Sequence, residues 1–419
     1  WRAWLPLLLA ALALSVACGG GGESTATPGP RLRTDYGVTD SEIRIGAHLP
    51  LSGPAGGLVT PYIAAMQAYL TKVNQEDGGV CGRKIVYIAE DDQYSPVLAR
   101  EAARKLIETD KVLALAGGWG GPNNAGSADY VNDPNGDGDP SDGVPSLFLV
   151  TGAGTLVGPK RPWSVLFFPP YFDEGNILAN YANANLAGKT VGFLYQNDDT
   201  GKDAIAGFKQ AYRGRVVAEQ PYEATAVDIT SQMANLRSAN PDVLFILATP
   251  PQAARAYAYM QLNNWRPQVI LSQSTLPSLL ASVLGGGDVA RGYQQMAGAI
   301  TTQFLLDARV DASAPAMAEH KRIMNSYGGP APSLNTVTAQ TVGELLVEVL
   351  RRACERGDLT RAGVREAALS LQHFRTSLLD EGIEVTLGPS DPLAIQALRL
   401  VQINPDGTFR RLTGAIGTD

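Results

Sequence analysis

Histidine and cysteine are scarce in this chain, with three of each among 419 residues. His48, His320 and His373 stand in no metal-ligand spacing with one another, so a histidine-based metal centre has nothing to build on. No Gly-x-Ser-x-Gly elbow and no P-loop lysine motif occurs, and nothing assembles a nucleophile with a base. Charged residues make up only 18% of the chain. The 34 basic and 41 acidic residues leave a net charge of −7 with no Lys/Arg cluster, which argues against a nucleic acid as partner. After residue 17 there is no apolar run of about 18 residues, the length a membrane-spanning helix needs.

What is present is an apolar body, 45% hydrophobic, long enough to bury more than one core, so two lobes are expected. The chain opens with an apolar run over 5–17, too short to span a bilayer but suited to a secretory signal, with Trp1 and Arg2 as a thin basic start. Ser15 and Ala17 before Cys18 resemble the lipobox of bacterial lipoproteins, which predicts a signal peptide over 1–17 and lipidation of Cys18. An ordinary signal peptide cut nearby is the alternative. A Gly/Ser/Thr/Pro-rich tether follows within 18–42, and the protein is expected outside the cytoplasmic membrane and held to it by lipid. With Cys18 acylated, Cys81 and Cys354 remain as an even pair that can form a disulfide in an oxidising compartment.

Beyond the tether, β-rich runs at 43–49, 84–90, 112–116 and 146–151 alternate with helical patterns. Ile63, Met66, Tyr69, Leu70 and Val73 share one face of a helix over 61–75, and Leu98, Ala102, Leu106 and Ile107 share one over 97–109. The βαβαβ order predicts a parallel sheet. A second series gives strands at 189–195, 215–220, 243–248 and 268–272, with helices over 201–212, 228–239 and 251–263. The remaining segments, strands at 298–304, 383–387, 398–403 and 408–412 and a long helix over 336–356, are too few for a third domain.

Five blocks carry a family resemblance. They are Ile43-Arg44-Ile45-Gly46 with Pro50-Leu51-Ser52-Gly53-Pro54; Gly78-Gly79-Val80-Cys81-Gly82-Arg83-Lys84-Ile85; Asp91-Asp92; Leu149-Val150-Thr151-Gly152-Ala153; and Tyr195 through Asp203. In this order they resemble the substrate-binding proteins of branched-chain amino acid ABC importers. That resemblance implies the type I periplasmic binding fold: α/β, two doubly wound parallel-sheet lobes joined by three hinge crossings, with ligand held between them. The crossings are expected near 168–172, 299–304 and 384–388. Lobe one would then hold 43–168 with 304–384, and lobe two 169–303 with 385–414. The implied partners are a small-molecule ligand and the permease of an importer, with the protein a monomer.

Open parallel sheets bind ligands at the carboxyl ends of their strands. In lobe one that points to Trp119 and Gly120 in the glycine-rich turn 117–123, and to Gly152, Ala153, Gly154 and Thr155. Tight strand-to-loop turns are the plainer reading of both. Where the resembled amino-acid binders hold a carboxylate with hydroxyls and amides, this chain offers only Thr151, Thr155 and main chain, so a weaker hold on an anion is expected. In lobe two the candidates are Tyr171, Asn197, Asp198, Thr200, Thr249, Gln273 and Ser274. Tyr171 and Phe172 could equally be hinge packing. The family's aromatic residue is replaced by Thr200, and its glutamate by the uncharged stretch 272–275. An unpaired ammonium in a closed cleft costs several kcal/mol, so Asp198, Asp199 or Glu174 would have to supply a counter-charge. Amides, aromatic acids and polar amino acids all stay open as ligands.

Asp133, Asn135, Asp137 and Asp139, with Gly138 at the sixth position, fit the start of a calcium loop, but Val144 stands where a bidentate glutamate belongs. A solvated acidic insertion is the other reading. Calcium apart, no cofactor is expected. Two further functions compete with this one. A ligand-sensing receptor domain would need an attached signalling segment. A secreted nicotinamide enzyme founders on 152–158, where the third glycine comes one residue late and Pro159 and Pro162 forbid the helix.

Overall fold

The computed structural model describes residues 32–418. Cys18 and the signal segment lie outside the described residues. In chain order the strands are β1 (Arg33–Thr34), β2 (Glu42–Leu49), β3 (Lys84–Asp91), β4 (Ala114–Ala116), β5 (Ser146–Leu149), β6 (Ser164–Leu166) and β7 (Thr190–Gln196). They continue as β8 (Arg215–Tyr222), β9 (Val243–Leu247), β10 (Gln268–Leu271), β11 (Ile300–Gln303), β12 (Asp358–Leu359), β13 (Ala397–Ile403) and β14 (Phe409–Gly417). One sheet runs β3-β2-β4-β5-β6, all parallel. A second runs β8-β7-β9-β10-β11-β13-β14, parallel as far as β11 and antiparallel beyond it, and β1 pairs with β12 apart from both.

Strands covered on both faces read as continuous apolar runs, and Val243–Leu247 is buried at every position. The predicted apolar face of the first long helix, Gly56–Glu76, is buried: Met66 and Val73 are at most 1% exposed. It packs against helix Leu334–Glu355, whose start is fixed by a capping box in which Ser333 and Thr336 satisfy each other's backbone N–H groups. Such a cap is worth about 1 kcal/mol. A disulfide between Cys81 and Cys354, Cα atoms 6.4 Å apart, ties the turn after the first helix to the end of the second.

Strand β6 ends the first sheet at Leu166, and Tyr171 begins helix Tyr171–Asn185, which packs on helix Asp199–Ala211 beside the second sheet, so the chain changes lobes between them. Ile300 and Phe304 straddle a second passage in the same way. The third passage falls later than 384–388. Val385, Leu387, Ala394 and Ile395 belong to the first core, and Leu393 pairs with Leu166 at the end of β6. Only at Ala397 does the chain join the second sheet, as β13. The 383–387 strand exists only as isolated bridges through Val385, because this segment covers the first core rather than extending a sheet. Among the described residues no helix is long and apolar enough to cross a membrane.

Candidate functional site

The carboxyl ends of both sheets face one another across the hinge. From the first lobe come Tyr94, after β3, and the turn 117–121, after β4. Tyr94 adopts φ +62°, and its ring centroid lies 6.1 Å from that of Trp119, which is 7% exposed. Gly120, at φ +106°, abuts the Tyr94 ring and the Asn123 carbonyl, and a side chain there would strike both.

From the second lobe comes the start of helix Asp199–Ala211. Its N-cap Asp198 accepts from Thr200 N at 3.0 Å. The helix is seated by close packing on helix Tyr171–Asn185, where a Cβ on Gly207 would collide with the backbone of Phe172. Gln196, 1% exposed, links the lobes: its Nε2 donates to Asp198 and, at 3.4 Å, to the Tyr94 hydroxyl, while its Oε1 accepts from Tyr222 at 3.4 Å. Burial, and secondarily the Asp198 charge, pushes the Tyr94 hydroxyl well above the usual tyrosine range. Burial likewise raises the Asp198 carboxyl.

Three more contacts cross the cleft. Thr155 Oγ1 donates to Asp199 at 2.5 Å, Gly154 N donates to Asp203 at 3.3 Å, and Gly121 abuts Thr200. The two lobes are therefore closed on each other here.

Behind this surface lies a buried network that sequence reasoning passed over. His48 Nδ1 is 2.9 Å from Asp92 and its Nε2 2.9 Å from Ser127 Oγ. Asp92 also accepts from Asn123 Nδ2 at 2.6 Å and from Tyr94 N at 2.8 Å, and Asn123 donates to Trp119 O at 2.7 Å. The spacing is that of a Ser-His-Asp triad, but Ser127 is 3% exposed and the carboxylate is committed to both cleft loops. The network holds Tyr94 and Trp119 in place.

Of the predicted residues, Trp119, Gly120, Gly152, Ala153, Gly154, Thr155, Tyr171, Asp198 and Thr200 come together at this junction. Tyr171 is buried and bonded to the Thr151 hydroxyl, and Gly152 lies against its backbone. Asn197 does not join: it is exposed and its amide donates to Glu223 at 2.7 Å. Thr249 turns to Gln252 at 2.5 Å at the start of helix Pro250–Leu262, though its N–H meets the Tyr222 hydroxyl at 3.2 Å. Ser274 Oγ sits 3.2 Å from Ser272 Oγ. Gln273 lies at the hinge, its Nε2 donating to Pro169 O at 2.8 Å. It lines a cavity of about 40 Å³ with Phe168, Ser278, Thr302, Phe304 and Thr338. A roomier basin of about 890 Å³, lined by Tyr257, Trp265, Arg266 and Arg291, lies at the opposite end of β10 and contains none of the predicted residues.

Glu174 is not free to serve a ligand. It accepts from Ser272 Oγ at 2.6 Å, Gln273 N at 2.6 Å and Thr302 Oγ1 at 2.7 Å, and burial pushes its carboxyl up to about 7. The calcium reading of 133–139 finds no geometric support: among the described residues no three His, Cys, Asp or Glu side chains gather as metal ligands. Asp133 instead accepts from Gly136 N and Gly138 N, each at 2.9 Å, and Asn135, Asp137 and Asp139 each accept from the backbone two residues on.

Tyr94, Gln196 and Tyr222 were also missed. The signal for Tyr94 was at hand, an aromatic two residues past the Asp91-Asp92 block at the end of a strand; Gln196 and Tyr222 carried none, being strand termini like any other.

The fold has many solved counterparts. A branched chain amino acid ABC transporter protein from Thermus thermophilus, with bound valine, is 17% identical, covers 91% of this chain and 97% of its own, and superposes with a TM-score of 0.78. A fatty acid ABC transporter substrate-binding protein from Thermomonospora curvata is 21% identical over 92% and 95% of the two chains, with a TM-score of 0.76. The branched-chain amino acid transporter substrate binding protein LivJ from Streptococcus pneumoniae, in complex with isoleucine, is 16% identical over 90% and 100%, with a TM-score of 0.71. Among curated proteins nothing matches the chain. The model of one family, periplasmic binding protein, matches residues 42–408, so this chain belongs to the periplasmic binding protein family.

Proposed function

We propose that this protein is an extracytoplasmic substrate-binding protein of an ABC importer, which captures a small molecule between its lobes and delivers it to a permease. The observation that carries the reading is the set of polar contacts from Gly154, Thr155 and Tyr94 to Asp203, Asp199 and Gln196, made only when the cleft is shut. A ligand held by both lobes adds contacts to that closed state alone and so shifts an open–closed equilibrium toward it. The permease then reads closure as the loaded state. The neighbours with bound valine and isoleucine, and the fatty acid transporter protein, support the importer role and leave the ligand class of this chain open. Lipidation at Cys18, anchoring by that lipid to the extracytoplasmic face of the cell membrane and a monomeric state belong to the same reading, and no catalytic step is assigned to the cleft.

Thermal unfolding of the protein against a broad panel of amino acids, amines, amides, aromatic acids and fatty acids tests this. A ligand at about one hundred times its Kd adds roughly 2.7 kcal/mol, a shift of a few degrees. At least one stabilising compound is expected, and its effect should fall by about half or more in Trp119→Ala. Stabilisation undiminished by that change places capture elsewhere than this cleft.

A further inference from the structure

We infer that the basin on the second lobe, at the end of its sheet away from the cleft, is a separate binding site, and that it takes a small organic dicarboxylate. The basin measures about 890 Å³, a size typical of small-molecule sites, whereas the hinge cavity measures about 40 Å³. It lies between helices Pro250–Leu262 and Val289–Gln295, over the amino ends of β10 and β11. Every lining residue falls between Tyr257 and Ala299, so one lobe builds the whole site and closure of the cleft is not needed to complete it.

The charge on its walls is of one sign. Arg266 and Arg291 line the basin and no Asp or Glu does, in a chain whose acidic residues outnumber its basic ones by 41 to 34. Both arginines are exposed, and among the described residues neither side chain makes an ion pair or a hydrogen bond. Two carboxylates on neighbouring turns are committed elsewhere. Asp288 accepts from Ala290 N at 3.0 Å and Arg291 N at 3.2 Å, capping the helix that carries Arg291. Asp242 accepts from Thr190 N at 2.8 Å and Thr190 Oγ1 at 3.0 Å, with Lys189 at 3.5 Å. A guanidinium without a partner is a fork of donors whose geometry matches a carboxylate, and two of them balance a dianion. Among the described residues, the one buried polar side-chain atom of the lining without a partner is the Tyr257 hydroxyl, which can donate as well as accept.

The walls are held in place before any ligand arrives. Gln261 Nε2 donates to Gln295 Oε1 at 2.7 Å and Gln295 Nε2 to Leu284 O at 3.0 Å, so three helices are bonded in series around the basin. Gln268 Nε2 donates to Gly298 O at 2.8 Å across its floor. The helix bearing Arg291 sits so tightly on helix Pro277–Gly285 that a Cβ on Gly292 would stand 1.8 Å from Ala281 O. Behind the polar surface, Tyr257, Met260 and Trp265 are buried. Ion pairs on an open, flat surface are weak, but a concave site with apolar backing focuses the field of its charges, and a fixed wall loses less freedom on binding.

Calorimetric titration of the full chain at pH 7 and low salt tests this with succinate and malate, with succinamate and succinamide as singly charged and neutral counterparts, and with inorganic phosphate. A dicarboxylate should bind about ten-fold more tightly than succinamate or phosphate, and succinamide should not bind. Arg266→Gln and Arg291→Gln should each weaken dicarboxylate binding about three-fold, and the double variant about ten-fold, with the melting temperature of the ligand-free protein unchanged. Trp119→Ala, in the cleft, should leave dicarboxylate affinity as it is. Succinamate or phosphate binding as tightly as the dicarboxylates overturns the inference, as does full affinity in the double variant, or silence of both dicarboxylates. Dicarboxylate binding that is lost in Trp119→Ala belongs to the cleft and overturns it too. Capture in the cleft is judged separately, by panel compounds whose effect depends on Trp119 and survives the double arginine change.

Discussion

Gly121 of the first lobe and Thr200 of the second approach so closely that a Cβ on the glycine would stand 2.8 Å from the threonine Oγ1. Real Cβ atoms essentially never come within 3.0 Å of another heavy atom, so a methyl group here either turns the Thr200 hydroxyl away or parts the lobes. The glycine begins helix Gly121–Asn132, where alanine is otherwise well accommodated. Gly121→Ala should therefore leave the melting temperature nearly unchanged while raising the radius of gyration in small-angle scattering and weakening ligand affinity about ten-fold. An unchanged radius would show that the lobes close without this contact.

Trp119 supports the cleft from the other side, through its contact with Tyr94 and its carbonyl bond to Asn123. Truncating it removes one aromatic pair, worth about 0.5–1.5 kcal/mol beyond area, along with a face for the ligand. Trp119→Ala should weaken binding of the panel ligand by about ten-fold or more, whereas Trp119→Phe should recover part of it. Titration calorimetry on both variants separates loss of a ligand contact from loss of fold, since the alanine carbonyl can still accept from Asn123.

The architecture was legible because each strand and helix of the two series carries its own periodicity, and burial on both sheet faces gave the strands unbroken apolar runs such as 243–247. Some helices were not. Helices Tyr171–Asn185 and Gly121–Asn132 went unread because Gly, Asn and Ala dilute their apolar stripes, and the second opens in a glycine-rich turn that reads as loop. At the site, Trp119 and Asp198 stood out by residue type and position. Asn197 misled, since the strand-end alternation that turns Gln196 inward turns its neighbour outward to Glu223. His48 and Asp92, 44 positions apart, became partners only through the pairing of β2 with β3, which puts both strand ends side by side.

At the third passage between lobes, Arg399 of β13 and Asp380 form an ion pair at 2.8 Å, with the aspartate fully buried and the arginine side chain 8% exposed. Asp380 also receives Arg411 at 3.4 Å, and its N–H reaches Phe304 O at 3.0 Å beside the second passage. Removing one member of a buried pair leaves the other charge desolvated and uncompensated, typically at a cost of about 3–5 kcal/mol. Asp380→Ala should lower stability to urea by that amount, and Asp380→Asn by less, because the amide oxygen still accepts. A loss below about 1 kcal/mol in the alanine variant would mean that water reaches Arg399.

Glu174 makes the fold sensitive to pH in a direction opposite to most carboxylates. Burial, only partly offset by Ser272, Gln273 N and Thr302, lifts its folded pKa to about 7 from the ordinary 4.5. Between those values the folded state keeps a proton that the unfolded chain has released, so unfolding stability falls as pH rises through the window. The shift corresponds to about 3 kcal/mol at 1.36 kcal/mol per unit, fully favourable below pH 4.5 and lost above 7. Glu174→Gln cannot ionise, and the Ser272 and Thr302 hydroxyls can turn to accept from its amide. Urea unfolding of both proteins from pH 4 to pH 8 should therefore show the wild type losing ground to Glu174→Gln by about 3 kcal/mol across the range. A constant difference would show that the carboxyl titrates at its ordinary value, with its three hydrogen bonds making up for burial.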